Sequence, residues 1–334
     1  MHILYVETVK TDEAYIKKQL EGHVVFFTQD FSTVPEDLSD TIEILSVFVD
    51  TVVDESVLIQ FPKLLCIATR SAGFDHIAVE EAQKRGIVIC RVPHYGSQTV
   101  AEYTFALMFA LSRNAYQSSR TVRAQGHVTD LLPYEGFDLS GKTLGVVGTG
   151  KIGEKVCSIA QSFGMHVIAY DAYVNENVKA LGILYVDLPT LMKTSDVVTL
   201  HVPGGKATHH LVTSELLSLM KQTSYIINTS RGEVLDTKAL VASLKVKTLA
   251  GAGLDVLENE HELSRKDSLT REEQSDVMLM ETLSLNTELM NMPNVVVTPH
   301  IAFNTREAKA EITASTLKNI QGFANGSPIN VVEL

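Results

Sequence analysis

The chain has 334 residues, of which 45% are hydrophobic and 20% charged, a composition typical of a soluble globular protein with about two domains. Its net charge of −12 argues against nucleic acid as a partner, because surfaces that bind nucleic acid are basic. The longest uncharged apolar stretch, between Glu102 and Arg113, is about half as long as a membrane span, so we expect no membrane contact. The N-terminus lacks a signal-peptide pattern and the three cysteines have no pairing pattern, which predicts a cytoplasmic protein.

The first hundred residues alternate short apolar runs with helical patterns. Strands are predicted at residues 3–6, 24–27, 42–49, 64–69 and 87–92, and helices at 12–20, 54–60 and 77–84. This alternation is typical of a doubly wound parallel sheet, so the N-terminal part is predicted to be an α/β domain.

A capping box at Thr99 and Glu102 then predicts one long helix that ends near residue 123. The polar stretch 113–140 has no clear strand pattern. We interpret it either as a solvated connector or as an arm that packs on a second subunit.

A glycine-rich turn between a strand and a helix is the most informative motif of the chain. The apolar run 144–147 predicts a buried strand, and Gly148, Gly150 and Gly153 follow it at the start of a helical pattern. A second strand, 166–170, ends in Asp171, where a dinucleotide-binding fold places the acid that holds the adenosine ribose. The helix N-terminus can bind a pyrophosphate through its unpaired N–H groups.

The acid at the end of the second strand also predicts which dinucleotide binds. Asp171 can accept hydrogen bonds from the ribose hydroxyls, and its charge repels a 2′-phosphate. Residues 172–174 contain no Arg or Lys that would bind such a phosphate. The sequence therefore predicts NAD rather than NADP.

A second α/β run follows, with strands predicted at 197–202, 225–229, 249–256 and 295–298 and helices that begin near Thr213 and Asp236. A charged, helical insertion is predicted at 258–292 and a final helix at 304–325. The sequence thus predicts an α/β protein with two doubly wound parallel-sheet, Rossmann-like domains and a cleft between them.

Several polar side chains follow the predicted strands, where ligands of open α/β sheets bind. Arg231 can bind a carboxylate or polarise a carbonyl, because its guanidinium stays charged. His300 is the candidate proton donor, since a histidine changes charge near neutral pH. Glu260 can raise the pKa of that histidine, although Glu258 in the same acidic loop is an alternative partner.

Most of the eleven histidines are expected to be structural or solvated. His201, which follows a strand, is expected to touch the cofactor. His209 and His210 are adjacent and lack the spacing of metal ligands, so no metal site is predicted.

Seven stretches carry a resemblance to a known family, and they span the chain almost from end to end. They are TRSAGFDHI (69–77), VPHYGSQTVAEYT (92–104), GVVGTGKIG (145–153), SDVVTLHVP (195–203), INTSRGEVLD (227–236), GAGLDVLENE (251–260) and VTPHIAFNT (297–305). The chain resembles the D-isomer-specific 2-hydroxyacid dehydrogenases, and most closely their D-lactate dehydrogenase branch. The resemblance places the family's catalytic arginine, glutamate and histidine on Arg231, Glu260 and His300.

The resemblance also implies a function and a domain plan. We expect NAD-dependent, reversible hydride transfer between NADH and a small 2-keto acid, with pyruvate and D-lactate as the first candidates. Residues 1–100 and 302–334 would form a discontinuous substrate domain, and residues 101–301 the NAD-binding domain. We further expect a homodimer, formed through the NAD-binding domain by the predicted 102–123 helix and the polar stretch after it.

Further contacts are expected around the cofactor and the substrate. The expected cofactor contacts are Val100, Gly148, Gly150, Lys151, Ile152, Gly153, Asp171, His201, Val202, Pro203, Thr208, Thr229, Ser230, Arg231 and Asp255. The expected substrate contacts are Ala72, Gly73, Tyr95, Arg231 and Phe303.

Two alternatives stay open. An NADH-sensing corepressor of the same fold would keep the three catalytic residues, and a sister dehydrogenase could act on formate, phosphite, glyoxylate, hydroxypyruvate or phosphoglycerate. No basic cluster beyond Arg70 and Arg231 indicates a phosphorylated substrate. The chain also departs from the family at Tyr103, where His is common, and this change is expected to alter packing near the site rather than the chemistry.

Overall fold

The computed structural model describes residues 1–49, 51–93, 95–127 and 130–333. The chain divides into two compact units, which we call unit 1 (Met1–Gly96 with Thr305–Leu334) and unit 2 (Ser97–Asn304). In these described ranges, no helix has both the length and the apolar character that crossing a membrane requires.

The N-terminal part of unit 1 alternates strands and helices. Its strands are β1 (His2–Val6), β2 (Val24–Thr28), β3 (Ile44–Val47), β4 (Cys66–Thr69) and β5 (Val88–Cys90), and its helices are α1 (Lys10–Gln19), α2 (Glu36–Ser39), α3 (Glu55–Gln60) and α4 (Val79–Lys84). The strands form a parallel sheet in the order β2-β1-β3-β4-β5. Every residue of β3 and β4 is buried, because helices cover both faces of such a sheet, and this explains why Ser46 and Thr69 are their only polar residues.

Unit 2 begins with two helices, α5 (Ser97–Ser112) and α6 (Ala115–Gln125), where the sequence predicted one helix from Thr99 to about residue 123. That prediction was wrong because Asn114 adopts a left-handed conformation, with φ of 49°, which ends α5 and places Asn114 at the N-cap position of α6 without a side-chain cap. Residues 128 and 129 of the polar stretch lie outside the described residues.

The rest of unit 2 is a second α/β layer structure. Its strands are β6 (Thr143–Val147), β7 (His166–Tyr170), β8 (Leu184–Tyr185), β9 (Val197–Leu200), β10 (Tyr225–Asn228), β11 (Gly251–Leu254) and β12 (Val295–Val297). Its further helices are α7 (Lys151–Ser162), α8 (Glu176–Ala180), α9 (Leu188–Thr194), α10 (Ser214–Ser218), α11 (Thr237–Lys245), α12 (Glu260–Ser264), α13 (Arg271–Ser275) and α14 (Val277–Asn291).

The parallel sheet of unit 2 has the order β12-β11-β10-β9-β6-β7-β8. The chain order therefore reverses between β6 and β9, which is the switch point where doubly wound sheets bind dinucleotides. The glycine turn after β6 lies at this point. The predicted α/β, Rossmann-like fold class is confirmed, and the insertion 258–292 is helical as predicted.

The last helix, α15 (Arg306–Ala324), returns to unit 1 and packs on β4. Its residues Leu317 and Ile320 are buried in one apolar cluster with Cys66 and Cys90. Thr305 caps its N-terminus by accepting a hydrogen bond from Ala308 N, one residue later than the sequence indicated.

Candidate active site

Gly148, Gly150 and Gly153, the three glycines of the segment after β6, differ in their backbone conformation and in the space around them. Gly148 has φ of +92°, and a Cβ added there would lie 2.7 Å from the carbonyl oxygen of His201. Gly153 packs on the carbonyl of Gly148 too closely for any side chain. Gly150 has an ordinary φ of −63°, and a Cβ added to it would meet no atom within 4 Å. Only Gly150 therefore leaves open space beside the backbone.

The start of α7 has the features of an anion site. Gly150 is the N-cap of this 12-residue helix, and no side chain caps it. The first backbone N–H groups of a helix have no partner within the helix, and they carry the positive end of its dipole. The open space at Gly150 thus lies where a pyrophosphate can approach the helix.

Asp171, at the end of β7, is tied to the glycine turn. Its Oδ2 accepts hydrogen bonds from Thr149 N (2.6 Å) and Thr149 Oγ1 (3.0 Å), and its Oδ1 accepts one from Tyr173 N (3.0 Å). A carboxylate offers about four lone-pair sites, so these three bonds leave about one for a ribose hydroxyl. Asp171 therefore stabilises the glycine turn and also places a negative charge beside it.

His201, directly after β9, is an uncharged and incompletely bonded side chain. Its Nε2 lies 2.9 Å from Thr199 Oγ1. Burial lowers the pKa of His201 to about 3, so the ring is neutral near pH 7. Its Nδ1 is buried and has no hydrogen-bond partner in the described ranges.

Arg231 stands on a rigid turn after β10. The buried Asn228 accepts hydrogen bonds from Ser230 N and Ser230 Oγ, and its Nδ2 donates to Arg231 O at 2.8 Å. Gly232 packs directly against the backbone of Leu257, with no room for a Cβ. The turn that carries Arg231 is thus fixed against the loop that leads to Glu260.

His300 and Glu260 form a close pair, with 2.6 Å between His300 Nδ1 and Glu260 Oε1. Burial of the imidazole opposes its charge, but the hydrogen bond and the charge of Glu260 outweigh this effect. The net result is a pKa of His300 above its ordinary value, although the charge of Arg231 acts in the opposite direction. Because Nδ1 faces Glu260, the Nε2 atom is the one that remains for a substrate.

The alternative carboxylate, Glu258, points elsewhere. Its Oε1 lies 2.9 Å from His210 Nε2. Asn259, between the two glutamates, has φ of 54° and so turns their side chains apart. The structure therefore pairs Glu260, and not Glu258, with His300.

Asp255 holds the turn that carries His300. The carboxylate is 1% exposed and accepts hydrogen bonds from Thr298 Oγ1 (2.6 Å), Ile301 N (3.0 Å) and Ala302 N (2.7 Å). His300 itself has φ of 51°, a conformation that costs a non-glycine residue of order 1–3 kcal/mol. These bonds keep the turn in place despite that cost.

Tyr103, on α5, belongs to the same network. Burial raises the pKa of Tyr103, a hydrogen bond with Thr298 opposes this, and the charge of Asp255 raises it further. Tyr103 therefore contacts the network that fixes the His300 turn, rather than the His300–Glu260 pair.

Comparison with known proteins identifies the family to which this chain belongs. Residues 105–302 match the profile of the "D-isomer specific 2-hydroxyacid dehydrogenase, NAD binding domain". A 2-hydroxyacid dehydrogenase homolog of Haemophilus influenzae is 36% identical over 98% of this chain and 97% of its own length. The chain belongs to the D-isomer-specific 2-hydroxyacid dehydrogenases.

Other members of the family are similarly close. A glyoxylate reductase of Thermococcus litoralis is 37% identical over 87% of this chain and 83% of its own. The structure of a D-lactate dehydrogenase of Aquifex aeolicus, complexed with NAD and lactic acid, superposes with a TM-score of 0.86 at 35% identity, covering 97% of this chain and 96% of that one.

This 2-hydroxyacid dehydrogenase is an NAD enzyme, and its residues fit the cofactor. The open space at Gly150, the uncapped start of α7 and the Asp171 carboxylate lie in the order that a dinucleotide requires. The unpartnered Nδ1 of His201 offers the cofactor one further polar atom.

The predicted site residues fall in both units. Arg231, Glu260, His300 and Phe303 lie in unit 2, where the Phe303 ring is 6.3 Å from that of His300. Ala72, Gly73 and Tyr95 lie in unit 1. Their contact with substrate stays a prediction, as does that of the remaining expected cofactor residues: Val100, Lys151, Ile152, Val202, Pro203, Thr208, Thr229 and Ser230. The carboxylate of Asp255 faces the 298–302 turn, so its expected contact with the nicotinamide also stays a prediction.

Two residues that organise the site were not predicted from the sequence. Thr149 ties the glycine turn to Asp171, and Asn228 closes the turn of Arg231. Thr149 lies inside the glycine-rich turn, and Asn228 is the last residue of β10, within the strand predicted at 225–229. The signal in the sequence was a polar side chain at the end of a strand or in the turn directly after it.

Proposed function

We propose that this enzyme catalyses the reversible reduction of a small 2-keto acid to the D-2-hydroxy acid, with pyruvate as the first candidate. In this proposal His300 is the general acid and base, Glu260 raises its pKa, and Arg231 binds and polarises the substrate. The observation that carries it is the 2.6 Å pair of His300 and Glu260, in which the pKa of His300 is raised.

NADH supplies the hydride when it is bound. The Arg231 guanidinium binds the substrate carboxylate and draws electron density from the keto carbonyl. The His300 imidazolium donates its Nε2 proton to the carbonyl oxygen, while Nδ1–H stays bonded to Glu260. In the opposite direction, the neutral Nε2 accepts the hydroxyl proton. The Glu260 carboxylate stabilises the imidazolium that each cycle forms.

Two features support a short, unphosphorylated substrate. The Phe303 ring, edge-on to His300, is an apolar wall beside the proton donor. Arg70, the other basic residue considered, donates to the backbone oxygens of Val6 (2.6 Å) and Glu7 (3.2 Å) in unit 1. Among relatives, the lactic acid complex supports pyruvate and the glyoxylate reductase supports glyoxylate.

Initial rates with NADH across pyruvate, glyoxylate, hydroxypyruvate and 2-ketobutyrate test the proposal. We expect the highest kcat/KM with pyruvate and a product of D configuration. A preference for glyoxylate would change the assigned substrate but would leave the proposed mechanism unchanged. Tight NADH binding without turnover of any keto acid would contradict the proposal and favour an NADH-sensing protein.

We also propose a homodimer joined through unit 2. Leu131 and Leu132, in the polar stretch after α6, are 75% and 74% exposed, and Tyr116 on α6 is 53% exposed. Large apolar side chains exposed on α6 and on the predicted arm after it support an interface there. A cytoplasmic location stays a prediction of the sequence.

A further inference from the structure

A second cluster of polar side chains lies in unit 2, apart from the His300–Glu260 pair. It consists of His209, His210 and Glu258, and one ligand atom from each residue lies within 4.8 Å of the other two. His210 Nε2 is 2.9 Å from Glu258 Oε1. The two imidazole rings are stacked, with centroids 4.1 Å apart and planes at 29°.

The backbone explains why two adjacent histidines face the same side. No metal site was predicted from the sequence, because the two histidines are adjacent and lack the usual spacing of metal ligands, but they lie in a turn rather than in a regular element. His210 has φ of 49°, a left-handed conformation that brings its ring beside that of His209. The conformation is held by a hydrogen bond from His210 N to Glu233 O, of 2.7 Å.

Glu258 is held from a different element. Its carbonyl oxygen accepts a 2.7 Å hydrogen bond from Nδ2 of Asn286, a fully buried residue of α14. Its side chain is 15% exposed, whereas His209 lies at the surface. The three ligand atoms thus stand on two independently fixed loops, and the cluster is open to solvent on the His209 side.

The ligand set selects the class of ion. Two imidazole nitrogens and one carboxylate oxygen suit Zn²⁺, whereas Mg²⁺ and Ca²⁺ prefer oxygen ligands alone. Zn–N and Zn–O bonds of about 2.1 Å in a tetrahedron place the ligand atoms about 3.4 Å apart. The spacing of the cluster brackets that value, between 2.9 Å and 4.8 Å, so rotation of the side chains can close it. Water can fill the fourth position.

We propose that His209, His210 and Glu258 bind a divalent transition-metal ion, with Zn²⁺ as the best match. The ion would bridge the loop before α10 and the loop before α12. Because Glu260 follows Glu258 by two residues, the site would brace the segment that carries the partner of His300. The proposal concerns binding and does not depend on which keto acid the enzyme reduces.

Isothermal titration of the metal-free protein with ZnCl₂, without NAD or keto acid, tests this site. We expect one strong equivalent per chain. His209→Ala should weaken it by at least about tenfold, because one of three ligands is lost while the His210–Glu258 bond remains. His166→Ala removes an exposed histidine at the start of β7, outside the cluster, and should bind as the unaltered protein does.

A second variant distinguishes this site from the active site. His300→Gln should keep the strong equivalent, because His300 is not a ligand in the proposal. Circular dichroism and Tm of each variant check that it is folded, and Zn²⁺ should raise Tm for the unaltered protein more than for His209→Ala. Equal affinity of His209→Ala and the unaltered protein would overturn the proposal. So would loss of the strong site in His300→Gln, or no binding at about 100 µM Zn²⁺.

Discussion

Replacing Glu260 with Gln isolates the electrostatic part of the mechanism. The side chain keeps nearly the same shape but loses the charge that lies 2.6 Å from His300 Nδ1. The hydrogen bond and charge of Glu260 are the main causes that raise the pKa of His300 against its burial. Without that charge, burial and Arg231 both favour the neutral imidazole, so the pKa of His300 should fall.

The size of the effect follows from the geometry. An opposite charge within about 4–6 Å changes the pKa of a neighbouring group by about 1–3 units. The Glu260 side chain is 37% exposed, so water screens part of its charge, and we expect a change near the lower end, about one pH unit. At a pH above the pKa, such a change leaves about one tenth as much imidazolium, so keto-acid reduction should slow about tenfold.

The direction of the pH dependence is specific. Reduction needs protonated His300, so its rate falls as pH rises through the pKa, and in Glu260→Gln that decline should begin at lower pH. Oxidation of the hydroxy acid needs neutral His300, so its rise with pH should also begin at lower pH. The assay is kcat against pH in both directions. Glu262→Gln, the same change on the same short helix, is the control and should leave both profiles unchanged. If Glu260→Gln gave the profiles of the unaltered enzyme, Glu260 would have no role in setting this pKa.

Three further predictions follow from the described contacts. His300→Gln should lose about 10²–10⁴-fold in kcat while NADH affinity, measured by fluorescence titration, is kept, and near-normal reduction would remove His300 from the mechanism. Asp171→Ala should lower the ratio of kcat/KM with NADH to kcat/KM with NADPH. If the unaltered enzyme uses both cofactors equally well, Asp171 does not select NADH. Leu131→Asp combined with Leu132→Asp should convert a dimer to monomers in light scattering. Met278→Asp changes a residue that is 79% exposed elsewhere in unit 2 and should stay dimeric. A monomeric unaltered protein would rule out the dimer.

The cofactor turn could be predicted because its determinants lie close together in the sequence. Gly148, Gly153 and Asp171 follow strand and helix patterns that are visible within one βαβ unit. The helix starts near Thr213 and Asp236 could be predicted in the same way, and in the structure both side chains accept hydrogen bonds at the starts of α10 and α11. Short-range hydrogen bonding fixes these features, so a local pattern is enough to find them.

One helix break and the direction of several side chains could not be predicted from the sequence. Both depend on residues other than glycine that adopt a left-handed backbone conformation. Asn114 splits the first helix of unit 2, Asn259 separates Glu258 from Glu260, and His210 brings its ring beside that of His209. Such conformations are uncommon and are imposed by contacts with distant segments, such as the bond from His210 N to Glu233 O. No spacing rule in the sequence reports those contacts.

The return of the chain to unit 1 has a consequence for biosynthesis. Val331 forms an antiparallel bridge with Cys90 at the edge of β5, and Val332 N donates to Ile89 O at 2.8 Å. These partners, with α15, are synthesised only after the 208 residues of unit 2 (from 97 to 304). At about 5–20 residues per second, the ribosome needs roughly 10–40 s for that stretch.

During that interval the nascent unit 1 presents an uncovered β5 edge and the apolar surface that later contacts Leu317 and Ile320. Unit 2 is continuous in sequence and can fold first. The N-terminal sheet, complete in its strands but without α15 and the 331–332 segment, is therefore the part of the nascent chain most open to chaperones, to proteases and to pairing with another copy of itself.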